Sequence, residues 1–253
     1  MTGIFDSHAH YDDGAFDEDR ELLLSSLPEK GIDTVINCGS DIKSSAVCLS
    51  LSERYPYIFA ACGVHGLEAA ECESDYLPKL RELCRHPRCV AIGEIGVDYH
   101  YEAETGDLQL KLFAEQLSLA KELDLPVIVH DREAHGDVLS LLNEYRPRGV
   151  VHCFSGSAEM AKEVVKLGMY IGLGGAVTFK NARKPLEVAA VVPDDRLLIE
   201  TDCPYMTPVP FRGKRNDSSL IPYTAEVLAQ VRGVSAQQIL DLTRENGKRL
   251  FGV

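Results

Sequence analysis

Val127-Ile128-Val129-His130 is an apolar run that ends in an imidazole, and four other stretches of the chain are built the same way. They are Phe5-Asp6-Ser7-His8-Ala9-His10, Val90-Ala91-Ile92-Gly93-Glu94, Val150-Val151-His152 and Leu197-Leu198-Ile199-Glu200-Thr201-Asp202. A strand that finishes on His, Glu or Asp delivers that group to the edge of a parallel sheet, where barrel enzymes assemble their active sites. Working outward from these runs, strand-like segments recur at residues 4–8, 34–38, 58–63, 89–94, 126–130, 149–153, 169–173 and 196–201. They are rich in Val and Ile without alternation, as expected for parallel strands buried on both faces. Helical stretches separate them. In residues 107–123, Leu110, Phe113, Ala114, Leu117 and Ala120 fall three and four apart and share one face that can cover a sheet. Strands alternating with helices imply right-handed crossovers, and eight such units imply a (β/α)8 barrel of the TIM type. After the last strand, Ser235-Ala236-Gln237-Gln238 reads as a capping box opening an extra C-terminal helix through Ile239, Leu242 and Leu250, expected outside the barrel.

Composition fits this architecture. A chain of 253 residues, 45% hydrophobic, can bury one large core, and barrels of this kind run to about 250 residues, so residues 1–253 are expected to form a single domain. No apolar stretch approaches the roughly 20 residues of a membrane span, and acidic residues crowd the segment where a signal peptide would need an apolar one. A soluble cytoplasmic protein with no obligate protein partner is the expectation. The eight cysteines are scattered with no Cys-x-x-Cys pair, which points to reduced, mostly buried thiols. The net charge of -13 works against nonspecific wrapping of nucleic acid. A polyanion would need a local basic patch, and Phe211-Arg212-Gly213-Lys214-Arg215-Asn216 offers one, with Lys180, Arg183 and Lys184 a weaker second.

The candidate ligands can be placed on the barrel units. His8 and His10 are two apart in an extended segment and point to the same side. Glu94 closes the fourth strand, His130 the fifth, His152 the sixth and Asp202 the eighth, so all project into one mouth. Four imidazoles and two carboxylates exceed what one tetrahedral ion with an open position requires. They suit two divalent ions that share a bridging carboxylate, for which Glu94 is the choice. A buried Asp or Glu is almost never left unpaired, and a metal centre satisfies all six groups at once. His86, His100 and His135 lack this placement and read as surface histidines.

With those residues in view, the chain resembles the TatD-type metal-dependent hydrolases and deoxyribonucleases. The matching segments include Phe5-Asp6-Ser7-His8-Ala9-His10, Gly63-Val64-His65, Gly93-Glu94-Ile95-Gly96-Val97-Asp98-Tyr99, His130-Asp131-Arg132-Glu133-Ala134, His152-Cys153-Phe154-Ser155-Gly156, Thr178-Phe179-Lys180-Asn181-Ala182, Glu200-Thr201-Asp202-Cys203-Pro204-Tyr205 and Arg212-Gly213-Lys214-Arg215-Asn216, in order along the whole chain. The resemblance implies the same barrel and the same ligands, His8, His10, Glu94, His130, His152 and Asp202. It departs in one loop: members commonly follow Gly-x-His with Pro and a second His, whereas here His65 precedes Gly66 and Leu67.

Such a centre would activate water for in-line displacement at phosphate, with Glu94 and Asp202 as catalytic carboxylates and Asp202 as the general base. His65, Arg132, Arg212 and Tyr99 are the candidate substrate contacts. Tyr99 and Tyr205 are the few aromatic groups available for stacking, and the glycines of Gly172-Leu173-Gly174-Gly175 could hold phosphate through backbone N–H groups. Imidazole-rich ligation favours Zn, Mn, Fe or Ni over Ca, and the family resemblance adds Mg. The resemblance implies a DNA exonuclease. A small-molecule amide, lactone or phosphoester hydrolase is the competing reading, since fold does not fix function, and a noncatalytic metal protein is disfavoured by the intact ligand set.

Overall fold

The computed structural model describes residues 1–253. Eight parallel strands follow one another in chain order around one sheet: β1 (Ile4–Ala9), β2 (Ile32–Cys38), β3 (Ile58–Cys62), β4 (Cys89–Asp98), β5 (Val127–Arg132), β6 (Gly149–Val151), β7 (Tyr170–Leu173) and β8 (Leu197–Ile199). The ends meet at the mouth. Asp202 N–H donates to His8 O at 3.0 Å and His10 N–H to Cys203 O at 2.8 Å, and Ala9 bridges Cys203. The result is a (β/α)8 barrel with its helices outside.

Every expected strand is present, and the differences lie at the ends. β4 runs on to Asp98 because Gly96, Val97 and Asp98 pair with His130, Asp131 and Arg132 of β5. Glu94 and His130 therefore sit inside strands rather than at their tips. β6 and β8 stop at Val151 and Ile199, before His152 and Asp202. Just beyond each end a non-glycine residue adopts the left-handed region, Cys153 at φ 40° and Asp202 at φ 57°, a conformation that costs about 1 kcal/mol or more.

The barrel interior is packed by residues from all eight strands, among them Phe5, Ile36, Ala61, Ala91, Ile128, Val150, Tyr170 and Leu198. The helix Gly106–Leu123 buries Leu112, Phe113, Leu117 and Ala120 as its apolar spacing requires, together with two glutamines seven residues apart. Gln116 clasps both backbone groups of Val64 at 2.8 Å each, and Gln109 accepts the Asp98 N–H at 2.8 Å. An exterior helix thus fixes two segments of the mouth. All eight cysteines are free thiols, and no helix is long and apolar enough to cross a membrane.

The C-terminal helix Ala236–Phe251 opens on the expected capping box, with Ser235 Oγ accepting the Gln238 N–H at 3.2 Å and Gln238 Oε1 accepting the Ser235 N–H at 2.8 Å. It lies outside against β1 and β8, yet it does more than cover them. Leu250 and Phe251 join the interior cluster, and the Phe251 ring stacks on Phe5 with centroids 6.1 Å apart. This end of the helix floors the barrel. Gly247 makes the approach possible, since a Cβ there would stand 2.6 Å from Phe5 Cε1. Gly247→Val is expected to lower the unfolding free energy by about 2 kcal/mol through overpacking, read by urea denaturation; an unchanged midpoint would remove this contact from the stability of the barrel.

Candidate metal centre

The two-residue period of the strands decides what reaches the mouth. Ile128 fills the interior, and His130 and Arg132 follow on the same face of β5. Val150 leads to His152 and Leu198 to Glu200 in the same way. The six side chains singled out from the sequence converge there, with Glu94 at the middle and only 5% exposed.

The two oxygens of Glu94 face different partners. Oε2 lies 3.4 Å from both His8 Nε2 and His10 Nε2, and Asp202 Oδ1 completes that side at 3.7 and 3.5 Å from the same two nitrogens. Oε1 lies 2.7 Å from His152 Nε2, 2.9 Å from His130 Nδ1 and 3.4 Å from His65 Nε2. The triads His8/His10/Glu94, His8/His152/Asp202 and His65/Glu94/His130 each hold their ligand atoms within 4.8 Å of one another. Bonds of about 2.0–2.1 Å to one tetrahedral ion hold its ligands roughly 3.4 Å apart, which is the spacing seen around Oε2.

The far nitrogen of each ring sets which nitrogen offers a lone pair. His10 Nδ1 donates to Cys38 O at 2.8 Å, which leaves Nε2 as the donor atom for a cation. His130 is reversed: Nε2 meets Asp98 Oδ2 at 3.0 Å, so Nδ1 is the nitrogen turned toward Glu94. His65 differs again. Its Nδ1 accepts the Leu67 N–H at 3.0 Å, which puts the ring proton on Nε2 and makes His65 a hydrogen-bond donor toward the centre. Gly66 permits that tight loop, because a Cβ there would meet Gly96 O at 2.6 Å.

Electrostatics agree with a cation site. Burial pushes the His8 imidazole down to about 3, and the charges of His152 and His10 press it the same way, so His8 is neutral. Burial alone would raise Glu94, yet the surrounding His152, His65 and His8 hold it well below the usual carboxylate range. Burial opposes protonation of His130, but Asp98 and Glu94 carry it up to about 9. Burial likewise opposes protonation of His10, yet Asp202 and Glu94 hold it well above its ordinary value. Protons on His10 and His130 thus supply, beside these carboxylates, the positive charge that a divalent metal would bring. Once those protons leave, imidazole nitrogen and ionised carboxylate oxygen are a donor set that fits such a metal.

Three residues around the cluster were not singled out from sequence. Asp98 orients His130 and also caps the following turn, its Oδ1 accepting the N–H groups of His100 and Tyr101 at 2.9 Å each. Glu200 lies beneath His152, with Oε1 taking the Cys153 N–H and standing 3.7 Å from His152 Nδ1, a buried atom with no hydrogen-bond partner. Burial pushes the Glu200 carboxyl up to about 7. Tyr101 is 65% exposed beside Arg132. Asp98 and Glu200 stood inside quoted motifs, and a second carboxylate near a ligand was the available signal.

The candidate substrate contacts fall in several places. Arg132 makes no ion pair and stacks over Tyr101 at 4.8 Å. Arg212 also makes no ion pair and stacks over Phe179 at 3.8 Å. Arg215, by contrast, is committed to Asp19 at 2.6 Å and Arg183 to Glu187 at 2.9 Å. Tyr99 turns away from the cluster: its hydroxyl donates to Asp137 at 2.6 Å, and the ring packs beside Gly106. Tyr205 donates to Asp13 at 2.8 Å and keeps an exposed ring. The glycine run has a packing reason, since a Cβ on Gly172 would meet Glu200 Oε2 at 2.5 Å and one on Gly175 would overlap Met206 O. His86, His100 and His135 pair with Glu53, Glu133 and Asp131 outside the cluster.

Comparison with known proteins adds an independent finding. The family model described as TatD related DNase matches residues 5–252. The uncharacterized metal-dependent hydrolase YabD of Bacillus subtilis is 42% identical over 99% of this chain and 99% of its own. A Pectobacterium parmentieri protein named 3'-5' ssDNA/RNA exonuclease TatD is 32% identical over 98% and 99%. The crystal structure of YJJV, a TatD homologue from Escherichia coli, superposes with a TM-score of 0.93 at 34% identity, covering 99% of this chain and 98% of that one. The chain therefore belongs to the TatD related DNase family of metal-dependent hydrolases.

Proposed function

We propose that the chain is a divalent-metal-dependent deoxyribonuclease that shortens DNA from an end by hydrolysing phosphodiester bonds. The observation that carries this reading is the division of Glu94, whose two oxygens face separate nitrogen-rich sets. His8, His10, Glu94 and Asp202 would hold one cation, and Glu94, His130 and His152 a second. A bound pair of this kind lowers the pKa of a water and neutralises developing charge on phosphate oxygens. Zn, Mn, Fe and Ni suit the imidazole-rich set, and Mg remains among the metals to be assayed.

The protein's own groups supply the rest. Asp202 keeps 17% of its side chain exposed toward the mouth and accepts the proton released by the attacking water. The His65 Nε2–H donates to a phosphate oxygen, its direction fixed by the Leu67 N–H behind it. Arg132 and Arg212, free of carboxylate partners, pair with the phosphates of the strand. The naming of the Pectobacterium relative as an exonuclease on single-stranded DNA and RNA supports a polynucleotide substrate. The second reading, a hydrolase of small amides, lactones or phosphoesters, is favoured by the net charge of -13, which repels a polyanion away from the mouth.

Metal-reconstituted protein incubated with end-labelled single- and double-stranded DNA, beside a panel of small phosphomonoesters and phosphodiesters, separates these readings. Chelator-sensitive shortening of DNA is expected; cleavage of small esters alone would overturn the nuclease reading. Asp202→Asn is expected to reduce kcat by about 10²–10⁴-fold with little change in Tm, and near-normal turnover would exclude it as the base. Asp98→Asn keeps an oxygen for the His100 and Tyr101 N–H groups but loses the carboxylate behind His130. Metal affinity measured by calorimetry should fall about 10–100-fold; unaltered affinity would mean that Asp98 does not orient a ligand.

A further inference from the structure

Immediately past the metal-ligand cluster, the helical turn after β4 and the end of β5 carry an aromatic ring and a guanidinium. Tyr101 is 65% exposed, and Arg132 covers one of its faces with Cζ 4.8 Å from the ring centroid. The ring is held in place. Its backbone N–H is anchored on Asp98 Oδ1 at 2.9 Å, and the His100 ring stands nearly perpendicular to it with centroids 4.7 Å apart, His100 itself being tied to Glu133 at 2.8 Å. Asp98 also bonds His130 at 3.0 Å, so a single carboxylate separates the ring's anchor from the cluster. Arg132 shares the face of β5 that presents His130.

Two properties set this pair apart from ordinary surface residues. The Tyr101 hydroxyl makes no hydrogen bond within the chain, and Arg132 covers one face of the ring, so the 65% exposure of the residue leaves the other parts of the ring for a further flat partner. The Arg132 guanidinium forms neither an ion pair nor a hydrogen bond in a chain with 39 acidic side chains, and the partner it does have is the ring itself. A flat ring next to an uncommitted guanidinium is complementary to a nucleotide, with the base stacking on the ring and the phosphate pairing with the cation.

We propose that Tyr101 and Arg132 form a nucleobase-stacking subsite at the entrance to the centre, which receives the base of a nucleotide near the scissile bond of a single strand. The subsite rests on the reading of the chain as a hydrolase of polynucleotides. It discriminates an unpaired base from one sequestered in a duplex, because only a splayed base offers its face to the ring. Stacking of this kind tolerates any base identity.

The test is steady-state hydrolysis by the metal-loaded protein of a single-stranded oligonucleotide and of the same strand carrying one abasic nucleotide at each of the first positions from the attacked end. For the unsubstituted protein, KM is expected to rise about 5- to 100-fold at one abasic position with a smaller change in kcat. Tyr101→Ala should show that same rise on the intact strand and no additional penalty from the abasic nucleotide at that position. Tyr101→Phe should behave like the unsubstituted protein, since the ring and not the hydroxyl acts. A KM for Tyr101→Ala equal to that of the unsubstituted protein, or an abasic penalty that persists undiminished in that variant, overturns the subsite while leaving the nuclease reading intact. Failure of the unsubstituted protein to shorten any strand would overturn the nuclease reading and the subsite with it.

Discussion

One buried carboxylate organises the mouth of this barrel. Glu94 sits in mid-strand with 5% exposure and two oxygens that address different sets of imidazoles. A negative charge so placed requires positive compensation. The histidines around it supply part of that compensation, and they hold the Glu94 carboxyl ionised. The remainder is what a cation on each side would provide. Orientation of the rings follows from this demand, since His10 and His130 each spend one nitrogen on a fixed acceptor, Cys38 O or Asp98, and turn the other toward Glu94.

The barrel exists to hold those side chains at fixed separations. Interior residues such as Ile128, Val150 and Leu198 pack two positions before His130, His152 and Glu200, so the same apolar layer that stabilises the lumen fixes the height of the polar layer above it. The mouth is braced from outside by Gln109 and Gln116. At the opposite end, Phe251 stacks on Phe5 and closes the lumen. Function and stability thus occupy opposite ends of the strands, as barrel architecture favours.

Much of this was legible in the sequence, and the remainder has identifiable causes. Eight Val- and Ile-rich runs separated by amphipathic stretches specify the barrel, because parallel strands buried on both faces leave a strong local pattern. The Ser235 and Gln238 capping box is equally local. The extension of β4 to Asp98 was not legible, because it depends on pairing with β5, a partner about thirty residues away in sequence. Ring tautomers were hidden for the same reason: His130 and Asp98 meet only after folding. Spacing directed attention to Tyr99, yet the helical turn that follows β4 sends Tyr99 toward Asp137 and leaves Tyr101 beside Arg132. The glycine run at the end of β7 suggested a phosphate loop, whereas the close approach of Glu200 and Met206 explains two of its members. The reach of the final helix into the lumen rests on Gly247 lying over Phe5, a contact no periodicity encodes.

Anomalous diffraction from manganese-soaked crystals tests the role of Glu94 most directly, because it locates each ion without reference to turnover. Two peaks are expected, one beside each Glu94 oxygen and about 3.5–4 Å apart, the first within reach of His8, His10 and Asp202 and the second of His130 and His152. A single peak, or peaks that do not touch Glu94, would contradict the bridged pair.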